Sequence, residues 1–173
     1  MPRILGIDPG SRNTGFGLIE SDGRHSRYLT SGCIRVGDQP WPQRLGVIFA
    51  AVEQLVVEHR PELMAVEQLI FARDPKAALK LGQARGAALC AGLRGGVEVH
   101  EYGPKSVKLA VVGTGNADKA QVQHMVRVLF KLAETPSEDA ADALAIALCH
   151  AHSMHIPARP RAAASWRDYQ PSG

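Results

Sequence analysis

Ile4-Leu5-Gly6-Ile7-Asp8-Pro9-Gly10 is the stretch from which the rest of the chain can be read. Apolar, mostly branched residues with a single Gly predict a buried strand over residues 4–7. An acid stands where the apolar run stops, and Pro-Gly turns the chain directly after it. An acid at a strand's end projects from the sheet edge where ligands of open α/β sheets gather. Read alone, Asp-Pro-Gly is also sound turn chemistry, so a role for Asp8 depends on other acids reaching the same place.

Working outward, Thr14 to Ile19 reads as a second strand, with Ser21-Asp22-Gly23-Arg24 as a hairpin turn and a third strand from about Tyr28 to Val36. Apolar residues at helical spacing predict an amphipathic helix over 41–59, stopped by Pro61. Leu63-Met64-Ala65-Val66-Glu67 then repeats the opening: a short apolar strand ending in an acid. Asp74-Pro75 opens a helix to about Leu93. Gly82 and Gly86 within it call for close approach to the sheet or to a second subunit. A strand over Val97–Tyr102 follows, then a short helix from Pro104 to about Val112. Asp118 and Gln121 form a capping box for a helix to about Leu132. Thr135, Pro136 and Glu138 suggest the start of a last helix carrying Asp139 and Asp142. Three antiparallel strands followed by strands alternating with helices predict an α/β fold with a mixed five-stranded sheet flanked by helices. The expected organisation is one domain over residues 1–155 and a disordered tail over 156–173, polar and rich in Pro and Arg.

The 173 residues suffice for one full core, and a hydrophobic content of 45% is ordinary for a globular protein. No apolar run is long enough to span a membrane, and the N-terminus shows no signal-peptide pattern, so a cytoplasmic protein is expected. Cys33, Cys90 and Cys149 are odd in number and far apart, which predicts reduced thiols in the core. Net charge is +3, but residues 70–131 hold ten Lys or Arg against four Asp or Glu, a local balance of +6. This stretch, including Arg73, Lys76, Lys80, Arg85, Lys108 and Lys119, suits a polyanion approaching the acids on either side of it.

Asp139 and Asp142 lie three apart on one helix face among Ala140, Ala141, Ala143, Leu144 and Ile146. Such a setting is poor for unpaired charges unless a cation neutralises them. Asp8, Glu67, Asp139 and Asp142 therefore form a candidate cluster for a hard divalent ion, Mg²⁺ or Mn²⁺. Two such ions can clamp the attacking and leaving oxygens of a phosphodiester. Gly113-Thr114-Gly115 lacks the ending of a P-loop. Cys149, His150, His152 and His155 are scattered around a helix end, where histidines favour the dipole, rather than spaced for zinc.

Several stretches resemble the RuvC family of Holliday-junction resolvases: residues 4–12, Ser31-Gly32-Cys33-Ile34-Arg35, residues 78–86, Gln121 to Val126, and Asp139 to Ala147. The resemblance implies a ribonuclease-H-like fold and a homodimer. It implies a Mg²⁺-dependent endonuclease that nicks two opposed strands of a four-way DNA junction and works with a RuvA–RuvB branch-migration machine. It assigns the catalytic and metal-binding acids to Asp8, Glu67, Asp139 and Asp142. It also matches the family's functional lysines to Lys108 and Lys119; by their chemistry, Lys119 can stabilise phosphate charge and Lys108 can position the backbone. Some members place an aromatic three residues beyond the glutamate; here that position is Ile70, with Phe71 next to it, so both are candidate junction contacts. Two other classes are open to the sequence. Asp8-x-Gly10 with Gly15 and Gly17 resembles the phosphate loop of actin-like ATPases and sugar kinases, which need two lobes. A non-catalytic junction-binding protein would not need all four acids.

Overall fold

The computed structural model describes residues 1–68 and 74–154. Strands β1 (Arg3–Asp8), β2 (Asn13–Ser21) and β3 (Ser26–Arg35) form an antiparallel meander. Helix α1 (Trp41–His59), strand β4 (Leu63–Glu67), helix α2 (Pro75–Arg94) and strand β5 (Glu98–Tyr102) follow, then helices α3 (Pro104–Val112), α4 (Lys119–Phe130) and α5 (Glu138–Ser153). The five strands are ordered β3-β2-β1-β4-β5. β4 runs parallel to both β1 and β5, so the carboxyl ends of these three strands share one edge. The mixed sheet expected from the sequence is the one observed.

Turn chemistry accounts for the connections. Gly23 takes φ +88° in the β2–β3 hairpin, where the Asp22 carboxylate accepts from the Arg24 and His25 amides at 2.8 and 2.7 Å. Helix α1 ends on Arg60 in the left-handed region, one residue before Pro61. The Asp118–Gln121 capping box of α4 is complete. At α5 the cap is Ser137, whose hydroxyl accepts from the Ala140 amide at 3.4 Å, and not Thr135. Ser137 sits three residues before a free helical amide, whereas Thr135 stands two residues too early for that bond.

The sheet separates two apolar layers. α1 and α2 cover one face over Leu5, Ile7, Ile48, Val52, Met64 and Ala88. α3, α4 and α5 cover the other over Ile4, Ile19, Val107, Val126 and Leu144. Helix α5 is buried almost all round from Ala140 to Ala151, and it lies directly on β1 and β2. Glycine makes that contact possible. A Cβ at Gly6 would lie 2.0 Å from the Ala143 carbonyl oxygen, and one at Gly15 would lie 2.0 Å from that of Asp139. The pair Gly15 and Gly17 thus seats a helix rather than a nucleotide phosphate.

Three local expectations change. A Cβ at Gly86 would meet nothing within 4 Å among the described residues of this chain; at Gly92, also on α2, a Cβ would lie 2.4 Å from Met64 Cε, so that glycine packs on the sheet. Cys149 is buried and Cys33 partly so, but Cys90 is exposed on the outer side of α2. His150 is a core residue: burial first, then the neighbouring His100, lowers its pKa to about 4, so it is neutral and does not serve the helix dipole. Among the described residues no helix is long and apolar enough to cross a membrane. The expected tail lies outside the described residues.

Candidate active site

Two strands end in acids at the same sheet edge. Asp8 closes β1, and Glu67 closes the adjacent parallel β4. Helix α5 crosses this edge with its N-terminal turns, because Gly15, paired with Asp8 across the β1–β2 ladder, admits the Asp139 backbone. Residues 67 and 142 are 75 positions apart in sequence, yet Asp8, Glu67 and Asp142 line one pocket of about 300 Å³ with Lys108 and Lys119. Val107, Val122 and Ile146 form its apolar wall.

The electrostatics are those of crowded anions. Burial is the main reason that the Asp8 carboxyl is pushed up to about 7, with the charges of Asp142, Glu67 and Asp139 adding to it. Burial and Asp142 raise Glu67 as well, and burial is the largest cause of the rise at Asp142. The lysines oppose this. Lys119 Nζ pairs with Glu138 and stands 4.0 Å from Asp142 Oδ2, while the Lys108 charge acts on Glu67 and Asp142.

Asp139 does not line the pocket with the other three. It lies one turn from Asp142 on the same helix, and its Oδ2 accepts from the Cys33 thiol at 3.6 Å. Among the described residues no three His, Cys, Asp or Glu side chains are gathered closely enough to hold an ion as they stand, and this applies equally to Cys149, His150 and His152. The acids nevertheless share one edge, present oxygen donors only, and hold Asp8 against ionisation, a donor set that suits a hard divalent cation.

The remaining basic candidates divide. Lys76 and Lys80 are exposed, the latter with its ammonium 5.5 Å from the centre of the Trp41 ring. Arg85 is engaged inside the protein: Nε donates to the Glu67 carbonyl oxygen at 3.3 Å, and Nη2 pairs with Glu101 at 2.8 Å. It holds the end of β4, and with it the Glu67 backbone, in place. Ile70, Phe71 and Arg73 lie outside the described residues. Glu138 was missed by sequence reading, although its place in the first turn of α5, next to Asp139, was a signal.

A mixed sheet with acids at two strand ends, and further acids on a helix laid across it, is the arrangement of a ribonuclease-H-like nuclease. The comparisons narrow the class. The family model for crossover junction endodeoxyribonuclease RuvC matches residues 4–150. A protein of that name from Marinobacter nauticus is 60% identical over 152 residues, covering 88% of this chain and 87% of the relative. Another, from Alkalilimnicola ehrlichii, is 55% identical over 163 residues, covering 94% and 99%. The structure of Thermus thermophilus RuvC in complex with a Holliday junction substrate superposes with a TM-score of 0.79 at 37% identity, covering 88% of this chain and 94% of that one. The chain belongs to the RuvC family of crossover junction endodeoxyribonucleases.

Proposed function

We propose that this chain resolves four-way DNA junctions by metal-dependent hydrolysis of two opposed strands, with Asp8, Glu67, Asp139 and Asp142 as the catalytic acids. The observation that carries the reading is the pocket in which three carboxylates and two lysines from five separate elements meet. Family membership makes the chain a nuclease. Its relative's complex with a Holliday junction supports this substrate for the present chain.

The four acids would hold Mg²⁺, two ions per site, with Mn²⁺ able to substitute. The metal, when bound, supplies a water of lowered pKa and neutralises charge on the phosphodiester. The chain's own groups do the rest. Asp8, closest to losing its charge, is the acid whose ionisation state sets readiness for the cation. Lys119, beside Asp142, places positive charge against the scissile phosphate, where charge develops in the transition state. Lys108, at the pocket wall, positions the backbone. Val107, Val122 and Ile146 limit water on the inner side. The ends left are 5′-phosphates that a ligase can seal.

Junction resolution needs two equivalent sites, and one chain has one carboxylate set, so the working unit is a two-fold homodimer. Branch migration by a RuvA–RuvB complex supplies the junction. Beyond Glu67, Ile70 and Phe71 reach the crossover bases, and Arg73, Lys76 and Lys80 contact phosphates. The test is a synthetic four-way junction incubated with the protein and Mg²⁺, the products being resolved on a denaturing gel. Paired nicks that ligate are expected; cleavage without Mg²⁺, or equal cleavage of linear duplex, would overturn the reading.

A further inference from the structure

A second cleft, of about 450 Å³, opens at the same end of the sheet on the β3 side and is lined by Arg12, Asn13, Arg35, Gly37, Asp38 and Arg44. The strand register places it relative to the acids. Asp8 pairs with Gly15, and Gly15 pairs with Cys33, whose thiol meets Asp139. Two residues further along β3, Arg35 pairs with Asn13. Strand rise puts the Arg35 Cα about 7 Å beyond that of Cys33. The arginine cleft therefore neighbours the acids on the β2–β3 side of the sheet edge, whereas Lys108 and Lys119 line the acid pocket itself together with Glu67 of β4.

The cleft is built rather than incidental. The Val36 amide donates to the Arg12 carbonyl oxygen at 3.3 Å, tying the β1–β2 loop to the end of β3. Gly37, at φ +70°, turns the chain toward α1. Arg44 on α1 is half-buried, and its Nε donates to the Gln39 carbonyl oxygen at 2.7 Å, which anchors the guanidinium at the cleft. Three guanidiniums face one carboxylate, Asp38, leaving a local charge of +2.

Charge pairing separates these arginines from four others in the chain; Arg24, Arg60 and Arg127 also lack an ion pair among the described residues but do not line the cleft. Arg3, Arg27, Arg85 and Arg94 each pair with a Glu. Among the described residues, Arg12, Arg35 and Arg44 have no carboxylate within ion-pair distance. Planar guanidiniums left in a shared concavity match the oxygens of a phosphodiester, which they can bind in bidentate fashion.

We infer that Arg12, Arg35 and Arg44 form a backbone-phosphate subsite that grips the DNA strand on the opposite side of the scissile phosphate from Lys108 and Lys119. The inference rests on the proposed junction-cleaving function and deepens it. A strand held on both sides of the acids is aligned over them, whereas the lysines alone hold one side. These are positioning residues, outside the reacting atoms.

The test compares wild type with Arg12→Gln, Arg35→Gln and Arg44→Gln, binding a fluorescent four-way junction without divalent metal over a range of salt. Each variant should weaken binding and flatten the dependence of log Kd on log salt by roughly one phosphate contact. Arg35→Lys, which keeps the charge, should retain the wild-type slope. Thermal melting identifies any variant that has lost its fold, and Arg12→Gln, on an exposed loop side chain, keeps the test open if Arg44→Gln does so. Folded variants with wild-type affinity, or with weaker binding at an unchanged salt slope, would overturn the subsite. Failure of wild type to prefer the junction over linear duplex would instead overturn the functional reading itself.

Discussion

Gly15 lies against the backbone of Asp139: a Cβ built on residue 15 would sit 2.0 Å from the Asp139 carbonyl oxygen and 2.5 Å from its carbonyl carbon. No side-chain rotation relieves a clash with backbone, so either β2 or α5 must move. The carboxylates of Asp139 and Asp142 travel with α5, which makes this glycine part of the site's geometry although it bears no functional group. Gly15→Ala should destabilise the protein by about 1–3 kcal/mol, the range for overpacking. It should lower nicking more than junction binding, because the basic residues at α2 and α3 stay where they are. Melting and gel assays on one preparation check this; full cleavage by a folded Gly15→Ala protein would show that α5 can shift without consequence.

The acids should separate chemistry from binding. Asp8→Asn, Glu67→Gln, Asp139→Asn and Asp142→Asn should each remove most nicking and leave junction affinity within a few-fold of wild type. Asp8→Asn should also stabilise the metal-free protein at pH 8 by about 1–3 kcal/mol, since ionised Asp8 is desolvated and faces three other acids. A normal nicking rate in any variant would remove that residue from the site.

Much of this was legible in the sequence because local and global signals agree. Acid-tipped apolar strands, the Asp74-Pro75 start and the Asp118–Gln121 box each carry their cause within a few residues, and all three are present in the structure. What was hidden depends on distant partners. Nothing near Arg85 in sequence reveals that Glu101 and the Glu67 carbonyl oxygen occupy it. Nothing near Gly15 names Asp139, 124 positions away, as its neighbour. The arginine cleft joins residues 12, 35 and 44 only once β2 and β3 have paired, and no dense basic stretch of sequence marks it.

Metal binding should release a proton near neutral pH. Asp8 ionises at about 7 in the folded protein without metal, and only its carboxylate can ligate a cation. Below pH 7 more protein carries the proton, so affinity for Mg²⁺ should fall as pH falls, by up to tenfold per pH unit. Titration calorimetry in two buffers of different ionisation enthalpy measures the release at pH 7. No buffer dependence, together with flat affinity between pH 6 and 8, would show that Asp8 is already ionised.

The residues after Glu67 should show their role through kinetics. Stacking on an aromatic ring contributes about 1–3 kcal/mol per base, and Phe71 can stack where Ile70 can only wedge. Phe71→Ala should therefore lower junction cleavage more than Ile70→Ala, with Mg²⁺ affinity unchanged in both. A loss of several kcal/mol of fold stability in Phe71→Ala, as core truncation gives, would pass the wedge role to Ile70.

Acid should act on the core through His150. Its ring lies between Tyr102 and His100, with Glu98 beyond His100; the Tyr102 hydroxyl and Nδ1 are hydrogen-bonded at 2.7 Å, and the His100 ring centre is 4.3 Å away. Burial and His100 lower the pKa from 6.5 to about 4, so the unfolded chain binds the proton first. Stability contributed by the neutral ring is complete above pH 6.5 and is lost as pH falls toward 4, by about 3 kcal/mol at most. Asp8 acts in the opposite sense over an overlapping range, because its raised pKa makes the fold gain stability as pH falls from 7 toward 3.8. The two effects mask each other in wild type and separate in an Asp8→Asn background. There, denaturant midpoints should fall steadily from pH 6.5 to 4, and the further change His150→Gln, which keeps an acceptor for Tyr102 but does not titrate, should flatten the fall. An equal fall with Gln at 150 would place the acid sensitivity elsewhere in the fold.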